Sequence, residues 1–405
     1  MEIIVGLALG LLVLGILENV RHQRYLSQIA IRIHINGTRG KSTTTRLIAG
    51  ILRQAGYRVI AKTTGTAARI IWQDGREEPI KRRGKPSIIE QVKIVSAAAR
   101  RGCDVLVIEC MAVNPEMQWV SEKRILESTI GVITNAREDH LDVMGTTREG
   151  VASALALFIP TSAQLVVGEE ELLPFFQEEA RKLATTTHFA GATIADGDMG
   201  AFPYMMFKEN VACALKVAEL LDVPASVAWQ GMVKATPDLG STQINRLTYL
   251  GVNVYFVNAF AANDSTSTVL VWERWQAIAT SLSLSDIPVI GLLHNRADRS
   301  FRVPELVELT CSELPLDYLW LTGDLVPVTK RYLKKHGFDL RLVTASKRPS
   351  PEQVLEQISH QHTGDVVLIG YGNTQGFGQI LIDYFERNGE RVSNDHTDNG
   401  VRSSY

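Results

Sequence analysis

One stretch near the start of the chain constrains the fold more than any other feature. Apolar residues alternate along Ile31–Ile35, which predicts a strand, and a glycine-rich turn over residues 37–40 follows directly. Apolar residues then recur at the spacing of one helix face until Gly56, which is a typical helix stop. A strand, a glycine-rich turn and a helix in this order predict a loop that binds phosphate groups.

The turn carries the residue types that hold the phosphates of a nucleotide. Backbone N–H groups at a helix start bind phosphate oxygens, a lysine such as Lys41 reaches the β- and γ-phosphates, and a hydroxyl such as that of Ser42 binds Mg²⁺. The general motif has a glycine where Ile35 stands, so only a compact form is present. We favour nucleotide binding over an ordinary strand-to-helix turn. The residues expected to contact ATP are Gly37, Thr38, Arg39, Gly40, Lys41, Ser42 and Thr43.

Two later strands also end on polar residues. The continuous apolar run Val105–Ile108 is typical of a central parallel strand, and Glu109 follows it as a candidate Mg²⁺ ligand. The next strand, Ile130–Thr134, leads into Asn135 and then into a cluster of acidic residues around His140. Because the carboxyl ends of parallel strands share one edge of a sheet, we favour a functional site over turn chemistry alone.

Strands and helices continue to alternate after residue 240, which predicts a second parallel α/β unit. Its strands are expected at Asn253–Val257, Pro288–Leu293, Tyr318–Leu321, Leu340–Val343 and Asp365–Ile369. The predicted fold class is therefore α/β, with a phosphate-loop central domain on a parallel sheet, a smaller C-terminal α/β domain and a short apolar N-terminal helix. The predicted boundaries are an N-terminal helix or membrane anchor over 1–28, the central ATP-binding domain over 29–240, the C-terminal domain over 241–390 and a disordered tail over 391–405.

The segment Ile3–Leu17 carries no charge and is followed by the basic residues Arg21, Arg24 and Arg32. A spanning helix usually needs about 20 apolar residues, and a cleavable signal needs a basic start that Glu2 does not provide. Three interpretations stay open: a membrane anchor, a helix packed against a partner subunit, and a core helix. The anchor is favoured, and the basic residues that follow it would keep the body of the protein at the cytoplasmic face of the cell membrane.

Charge and cysteine content exclude some classes of function. Lysine and arginine number 42 against 44 aspartate and glutamate residues, a formal net charge of −2, so no basic surplus is available to hold a nucleic acid. The four cysteines show no pair or metal spacing, which favours a reduced, intracellular setting. The charged segment Arg76–Lys85 is either a solvated loop or a grip on an anionic substrate, and the turn Lys62–Thr66 is either a ligand contact or a simple loop.

The order of these motifs resembles that of the Mur ligase superfamily, which contains the peptidoglycan-precursor amino-acid ligases and the folylpolyglutamate synthases. The resemblance rests on Gly37–Ser42, Glu109, Ile133–Asn135 and Asp139–Asp142, and it covers about Ile31–Gly240. We expect no uridine-nucleotide domain, because only the apolar segment precedes the loop, and folate enzymes lack that segment. In these features the chain resembles the ligase subunit of poly-γ-glutamate synthases, which act in capsule synthesis.

The resemblance implies an ATP-dependent ligase that polymerises glutamate through γ-linkages by way of an acyl phosphate. It implies catalytic roles for Lys41, Glu109 and His140, Mg²⁺ binding by Ser42, Glu109 and His140, and contact of Asn135 with phosphate or nucleotide. The implied partners are glutamate and poly-γ-glutamate, the membrane, small membrane subunits of a synthase complex and further copies of this chain in a homo-oligomer. The family's carbamylated lysine has no counterpart within residues 153–158, so its replacement is open.

Two other functions stay open from the sequence. A related ligase would add amino acids to another small acid, such as a folate. A P-loop ATPase would instead drive transport without forming a bond. The three functions differ in whether ATP hydrolysis depends on an amino acid and in whether a new amide bond is made.

Overall fold

The computed structural model describes most of the chain. The described residues are 2–64, 68–82, 84, 86–137, 141–191, 194–195, 199, 201–202, 206–237, 244–262 and 265–392. The chain divides into two compact units, of which the first is Met1–Ala201 with Met206–Leu239 and the second is Phe202–Met205 with Gly240–Tyr405. Each unit is built on one sheet.

The first sheet has eight strands in the described residues. They are β1 Ile31–Asn36, β2 Val59–Thr63, β3 Arg69–Ile71, β4 Glu77–Pro79, β5 Val105–Glu109, β6 Ile130–Ile133, β7 Gln164–Val167 and β8 Thr186–Phe189. Their order is β4-β3-β2-β5-β1-β6-β7-β8, and the six strands from β2 to β8 across the sheet are parallel. Only β3 and β4, at one edge, pair antiparallel.

The centre of this sheet explains why the predicted site residues converge. Strand β5 is a buried apolar run that ends on Glu109, as expected of a strand covered on both faces, and the last four residues of β1 are buried as well. In the register, Ile35 lies beside Glu109 and Asn36 lies beside Ile133. Strand β1 therefore ends level with both neighbours. The chain runs from β1 to β2 on one side of this point and from β6 to β7 on the other. Such a point in a parallel sheet opens a crevice at the carboxyl ends of the strands.

Helices pack around this sheet. Their bounds are α1 Glu2–Ser27, α2 Lys41–Gln54, α3 Ile89–Arg100, α4 Pro115–Val120 with a π-helical continuation over Ser121–Leu126, α5 Leu141–Met144, α6 Arg148–Ala156, α7 Leu173–Lys182, α8 Lys208–Leu220 and α9 Ala225–Val233. A Cβ atom on Gly231 of α9 would lie 2.6 Å from the Ile51 Cα of α2. Glycine at this crossing therefore lets α9 hold the helix that begins at the phosphate loop.

Helix α1 has 26 residues and extends beyond the uncharged segment Ile3–Leu17. Its apolar side chains from Ile3 to Val20 are exposed, whereas Leu26 is buried in the core of the first unit together with Ile29. The stretch Ile3–Ser27 has the length and composition to cross a membrane. At 1.5 Å per residue a helix of this size is about 38 Å long, against about 30 Å of bilayer hydrocarbon.

The second unit repeats the architecture with seven strands in the described residues. They are β9 Ile244–Tyr249, β10 Val252–Asn258, β11 Val289–Asn295, β12 Tyr318–Gly323, β13 Val343–Ser346, β14 Val366–Gly372 and β15 Glu390–Arg391, in the order β13-β12-β11-β14-β10-β9-β15. Strands β10 to β14 are parallel, and β9 and β15 form an antiparallel edge. Its helices are α10 Ser265–Ser281, α11 Val303–Ser312, α12 Val326–Lys335, α13 Pro351–Gln361 and α14 Phe377–Asn388.

Three local predictions need correction. The strand expected at Leu340–Val343 is wrong, because Leu340–Leu342 forms a 3₁₀ turn and β13 begins only at Val343. The side chain of Asp339 accepts a hydrogen bond from the Arg341 N–H at 2.9 Å, which favours the turn. A solvated loop was one of two interpretations of the charged segment Arg76–Lys85, and it does not hold for Glu77–Pro79, which forms strand β4.

The tail expected to be disordered from residue 391 still pairs at its start. Arg391 lies in β15, and the Val392 N–H donates to the Ile244 carbonyl at 3.0 Å. These contacts extend the antiparallel edge of the second sheet by one further strand. Residues 393–405, on which the rest of this prediction falls, lie outside the described residues.

Candidate active site

The backbone of the turn after β1 can be formed only with glycine at two positions. Gly37 and Gly40 have φ values of 126° and 78°, which favour glycine over any residue with a side chain. A Cβ atom on Gly37 would collide with the Thr134 hydroxyl, and one on Gly40 would collide with the Asn210 amide. The loop is therefore pressed between the end of β6 and the start of α8.

Asn135 fixes the shape of this loop from behind. Its Oδ1 accepts hydrogen bonds from the Thr38 hydroxyl at 2.6 Å and from the Arg39 N–H at 2.9 Å, and its Nδ2 donates to the Arg39 carbonyl at 3.1 Å. The Thr134 hydroxyl donates to the same carbonyl at 2.6 Å. These contacts show that Asn135 holds the shape of the loop, and its contact with phosphate or nucleotide stays a prediction.

Helix α2 begins directly at the loop and presents Lys41 there. The Lys41 ammonium donates to the carbonyls of Gly37 at 2.5 Å and Thr38 at 3.1 Å. Its positive charge therefore lies against the loop. The first N–H groups of a helix have no partner within the helix and attract anions. The loop backbone, the helix start and the lysine together provide the surroundings that a polyphosphate requires.

Ser42 and Glu109 meet at the centre of the crevice although 67 residues separate them. The Ser42 hydroxyl donates to Glu109 Oε2 at 2.7 Å, and the same oxygen accepts the Thr64 N–H at 2.6 Å. Glu109 is only 2% exposed. A hydroxyl and a carboxylate oxygen are the hard ligands that Mg²⁺ prefers, and Mg²⁺ usually completes its shell with phosphate and water. The two residues therefore fit the ion that the sequence predicted.

The turn after β2 contacts this pair. Thr64 lies in the segment Lys62–Thr66, and its N–H bond to Glu109 favours the interpretation of that turn as part of the site over a simple loop. Gly65 and Thr66 lie outside the described residues. The predicted ligand His140 and the neighbouring Asp139 also lie outside them, so the role of His140 stays a prediction.

Glu169 and Arg148 are site residues that sequence reasoning missed. Glu169 Oε2 accepts the Ala136 N–H at 3.0 Å, and the Arg148 guanidinium bridges the Ala136 carbonyl at 3.2 Å and that carboxylate at 3.2 Å. Together they fix the segment that follows Asn135. The acidic run Glu169–Glu171 lies before α7, which begins only at Leu173. The sequence did contain one indication of this role. The run follows β7, which lies beside β6, so it falls at the same edge of the sheet as Asn135.

The second unit gathers polar groups at the carboxyl edge of its own sheet. His294 Nδ1 lies 2.9 Å from the Thr322 hydroxyl, and the Asn373 N–H donates to the His294 carbonyl at 2.9 Å. Burial lowers the pKa of His294, which favours a neutral imidazole at pH 7. Near the same edge, Asp298 pairs with Arg296 at 2.9 Å.

Comparison with protein families agrees with this division into two sheets. Residues 35–210 match the Mur ligase middle domain, and residues 244–388 match the poly-gamma-glutamate synthase CapB C-terminal domain. Solved structures with a similar fold include E. coli FolC in complex with DHPP and ADP, with a TM-score of 0.63, 17% identity and 91% of each chain covered. A second is the bifunctional folylpolyglutamate synthase/dihydrofolate synthase of Yersinia pestis with AMPPNP and Mn ion, with a TM-score of 0.65, 17% identity and 91% of each chain covered. This fold therefore binds a nucleotide and a divalent metal in other proteins.

Two curated relatives match nearly the whole chain. PGA synthase CapB of Bacillus subtilis is 37% identical over 384 residues, which are 92% of this chain and 94% of the relative. Capsule biosynthesis protein CapB of Bacillus anthracis is 36% identical over 386 residues, which are 92% of this chain and 80% of the relative. Identity of this extent, together with the two matching domains, shows that the chain belongs to the CapB family of poly-gamma-glutamate synthases, on a Mur ligase fold.

Proposed function

We propose that this protein is an ATP-dependent amide ligase that polymerises glutamate through γ-linkages by way of an acyl phosphate. The observation that carries the proposal is the convergence of Lys41, Ser42 and Glu109 at the carboxyl ends of adjacent strands. Membership of the CapB family supplies the substrate class, because its relatives are named for poly-γ-glutamate and capsule synthesis.

The reaction must bring two anions together. In the first step the γ-carboxylate oxygen of a glutamyl substrate forms a bond to the γ-phosphorus of ATP, and the bond from that phosphorus to the bridging oxygen breaks to release ADP. In the second step the amino group of another glutamyl unit attacks the acyl carbon, loses a proton, and expels inorganic phosphate as the amide forms. The chain must therefore supply positive charge where carboxylate and phosphate approach each other.

The described residues meet this demand in three ways. The Lys41 ammonium lies at the loop, where it offsets charge on the β- and γ-phosphates as the bond between them breaks. Ser42 and Glu109 would hold Mg²⁺, which supplies further positive charge to the phosphate oxygens. Asn135 keeps the loop backbone in the shape that the phosphates require.

We also propose a location for the reaction. Helix α1 would cross the membrane and leave the two units on the cytoplasmic side, where ATP is available. Its last turns are bound into the first unit, with the His22 imidazole 2.8 Å from the Ile125 carbonyl. The partners in this proposal are poly-γ-glutamate, small membrane subunits of a synthase complex and further copies of this chain.

An assay of ADP release tests the proposed function. The full-length chain in detergent micelles is supplied with Mg²⁺ and ATP, with and without glutamate, and products are analysed by mass spectrometry. We expect ADP release that depends on glutamate, products that grow in steps of one glutamyl residue, and loss of turnover in Lys41→Ala. ADP release that is unchanged by glutamate, with no amide product, would indicate a transport ATPase. Release that depends on a folate would indicate the related ligase.

A further inference from the structure

Lys62 is a lysine in an unusual place. It lies in β2 beside Ile108 of β5, one residue before the level of Glu109, and its side chain is fully buried. Lysine is seldom fully buried without a charged partner, because removing an ammonium from water is costly. A side chain of this kind near the carboxyl edge of a parallel sheet, on the strand beside the one that ends at Glu109, needs an explanation.

The described surroundings of Lys62 offer it only a weak partner. Its ammonium lies 3.6 Å from the thioether sulfur of Met111, a poor acceptor, and no carboxylate among the described residues lies within ion-pair distance. Burial lowers the pKa of Lys62 to about 8, although the charges of Glu109 and Glu90 oppose that change. At pH 7 Lys62 is therefore mostly charged, and the part of the chain that the structure describes binds no strong acceptor to it.

The two carboxylates that influence Lys62 are already bound by other groups. Glu109 Oε2 accepts from the Ser42 hydroxyl and the Thr64 N–H. Glu90 accepts two hydrogen bonds from the Arg82 guanidinium, at 2.7 Å and 3.1 Å. A divalent cation held by Ser42 and Glu109 would neutralise Glu109 further. In the loaded site Lys62 would then be a buried cation facing a second cation, unless an anion joins it.

We propose that the Lys62 ammonium binds a carboxylate of the glutamyl substrate at the carboxyl edge of the first sheet. The inference rests on the proposed function and names the group that receives its acidic substrate. The Met111 thioether is flexible and weakly bound, so a carboxylate can take its place beside the ammonium. Arg82 and Glu90 form a partly buried ion pair, and the charges of both residues influence Lys62.

A purely structural role explains these observations less well. A methionine in place of Lys62 would have a similar length, would pack against Met111, and would avoid the cost of burying a charge. Retaining the ammonium therefore costs stability in the absence of substrate. Binding of a carboxylate offsets that cost only when substrate arrives, which is the behaviour expected of a specificity-determining residue.

Two measurements on the full-length chain in detergent micelles test the inference. The first is calorimetric binding of the dipeptide γ-glutamylglutamate in the presence of Mg²⁺ and a non-hydrolysable ATP analogue. The second is glutamate-dependent ADP release at varied glutamate and varied ATP. The variants are Lys62→Met and Lys62→Arg, and Lys81→Met is the matched control because Lys81 is an exposed lysine of the adjacent segment. Thermal unfolding shows whether each variant is folded.

We expect Lys62→Met to unfold at the same or a higher temperature, to bind the dipeptide at least ten-fold more weakly and to raise the KM for glutamate at least ten-fold. The KM for ATP should change less than two-fold, Lys62→Arg should recover part of the dipeptide affinity, and Lys81→Met should match the wild type. Unchanged dipeptide binding in a folded Lys62→Met would overturn the inference, as would an equal loss of nucleotide affinity. If dipeptide binding depends on Lys62 while the wild type forms no amide, the inference stands and the proposed function fails.

Discussion

At the scale of single residues, the candidate site centres on a carboxylate that two groups hold, and one of these groups, the Ser42 hydroxyl, would share a metal ion with it. Glu109 accepts hydrogen bonds from Ser42 and Thr64, and its burial leaves almost no contact with solvent. A Glu109→Gln variant distinguishes the effect of the charge from the effect of the hydrogen bonds. Glutamine is neutral, and its amide oxygen accepts the same hydrogen bonds. The charge of Glu109 would attract the ion, and the two hydrogen bonds position the carboxylate.

We predict that Glu109→Gln folds normally, requires more Mg²⁺ and loses about 10²-fold or more in kcat, as removal of one electrostatic contact to a transition state typically does. The measurement is ADP release as a function of free Mg²⁺, with Glu170→Gln as a control because Glu170 is exposed near the same edge of the sheet. An unchanged Mg²⁺ midpoint in Glu109→Gln would remove Glu109 from the metal site.

At the scale of elements, a buried ion pair joins strand β1 to the π-helical segment after α4. His34 Nδ1 lies 2.7 Å from Glu122 Oε2, and both side chains are at most 1% exposed. Glu122 also accepts the N–H and the hydroxyl of Ser128, each at 2.9 Å, which stabilises its negative charge. Burial opposes a charged imidazole here, but hydrogen bonds with Cys110 and Glu122 outweigh it and raise the pKa of His34 to about 9.

This pair predicts a pH dependence of stability. The protonated imidazole is favoured in the folded state over the unfolded one, so its contribution is complete below pH 6.5 and is lost as the pH rises through about 9. We expect the Tm to fall by a few degrees between pH 6.5 and 9, since about 1 kcal/mol moves the Tm of a domain of 150–250 residues by about 2–4 °C. His34→Gln should flatten this slope, whereas the exposed control His360→Gln should keep it. If Tm falls with pH to the same extent in His34→Gln, other groups cause the pH dependence.

At the scale of the whole molecule, helix α1 continues without a break from its exposed apolar part into the first unit. Its final turns are bound by the His22 contact to Ile125 and by burial of Leu26, whereas residues from Ile3 to Val20 contribute nothing to that core. The exposed apolar part therefore has no structural use within the first unit. Insertion into a bilayer would bury it.

We predict that the full-length chain floats with phospholipid vesicles in a density gradient, and that a chain lacking residues 1–18 stays in the dense fraction with an unchanged Tm. Leu12→Lys should weaken flotation because a charge in a spanning helix costs about 2.5–3.5 kcal/mol near its centre. Ile89→Lys is the matched control, since Ile89 is an exposed apolar residue outside α1. Flotation of the truncated chain would contradict the anchor.

Features encoded by residues close together in sequence could be predicted, whereas contacts between residues far apart in sequence could not. The phosphate loop and strands β1, β5 and β6 are encoded by local patterns, and Glu109 could be placed because it ends an apolar run; the predicted family and fold are confirmed. Contacts between distant side chains left no local pattern. The bond from Glu169 to Ala136 requires β7 to lie beside β6, and the burial of Lys62 requires β2 to lie beside β5.

The most direct measurement follows one oxygen atom. Glutamate labelled with ¹⁸O in its γ-carboxylate is incubated with the full-length chain, Mg²⁺ and ATP, and the released inorganic phosphate is analysed by mass spectrometry. An acyl phosphate made at Lys41, Ser42 and Glu109 predicts one ¹⁸O atom in the phosphate for each amide bond formed, and none in Lys41→Ala. Phosphate without label, released while γ-amide bonds form, would contradict this account.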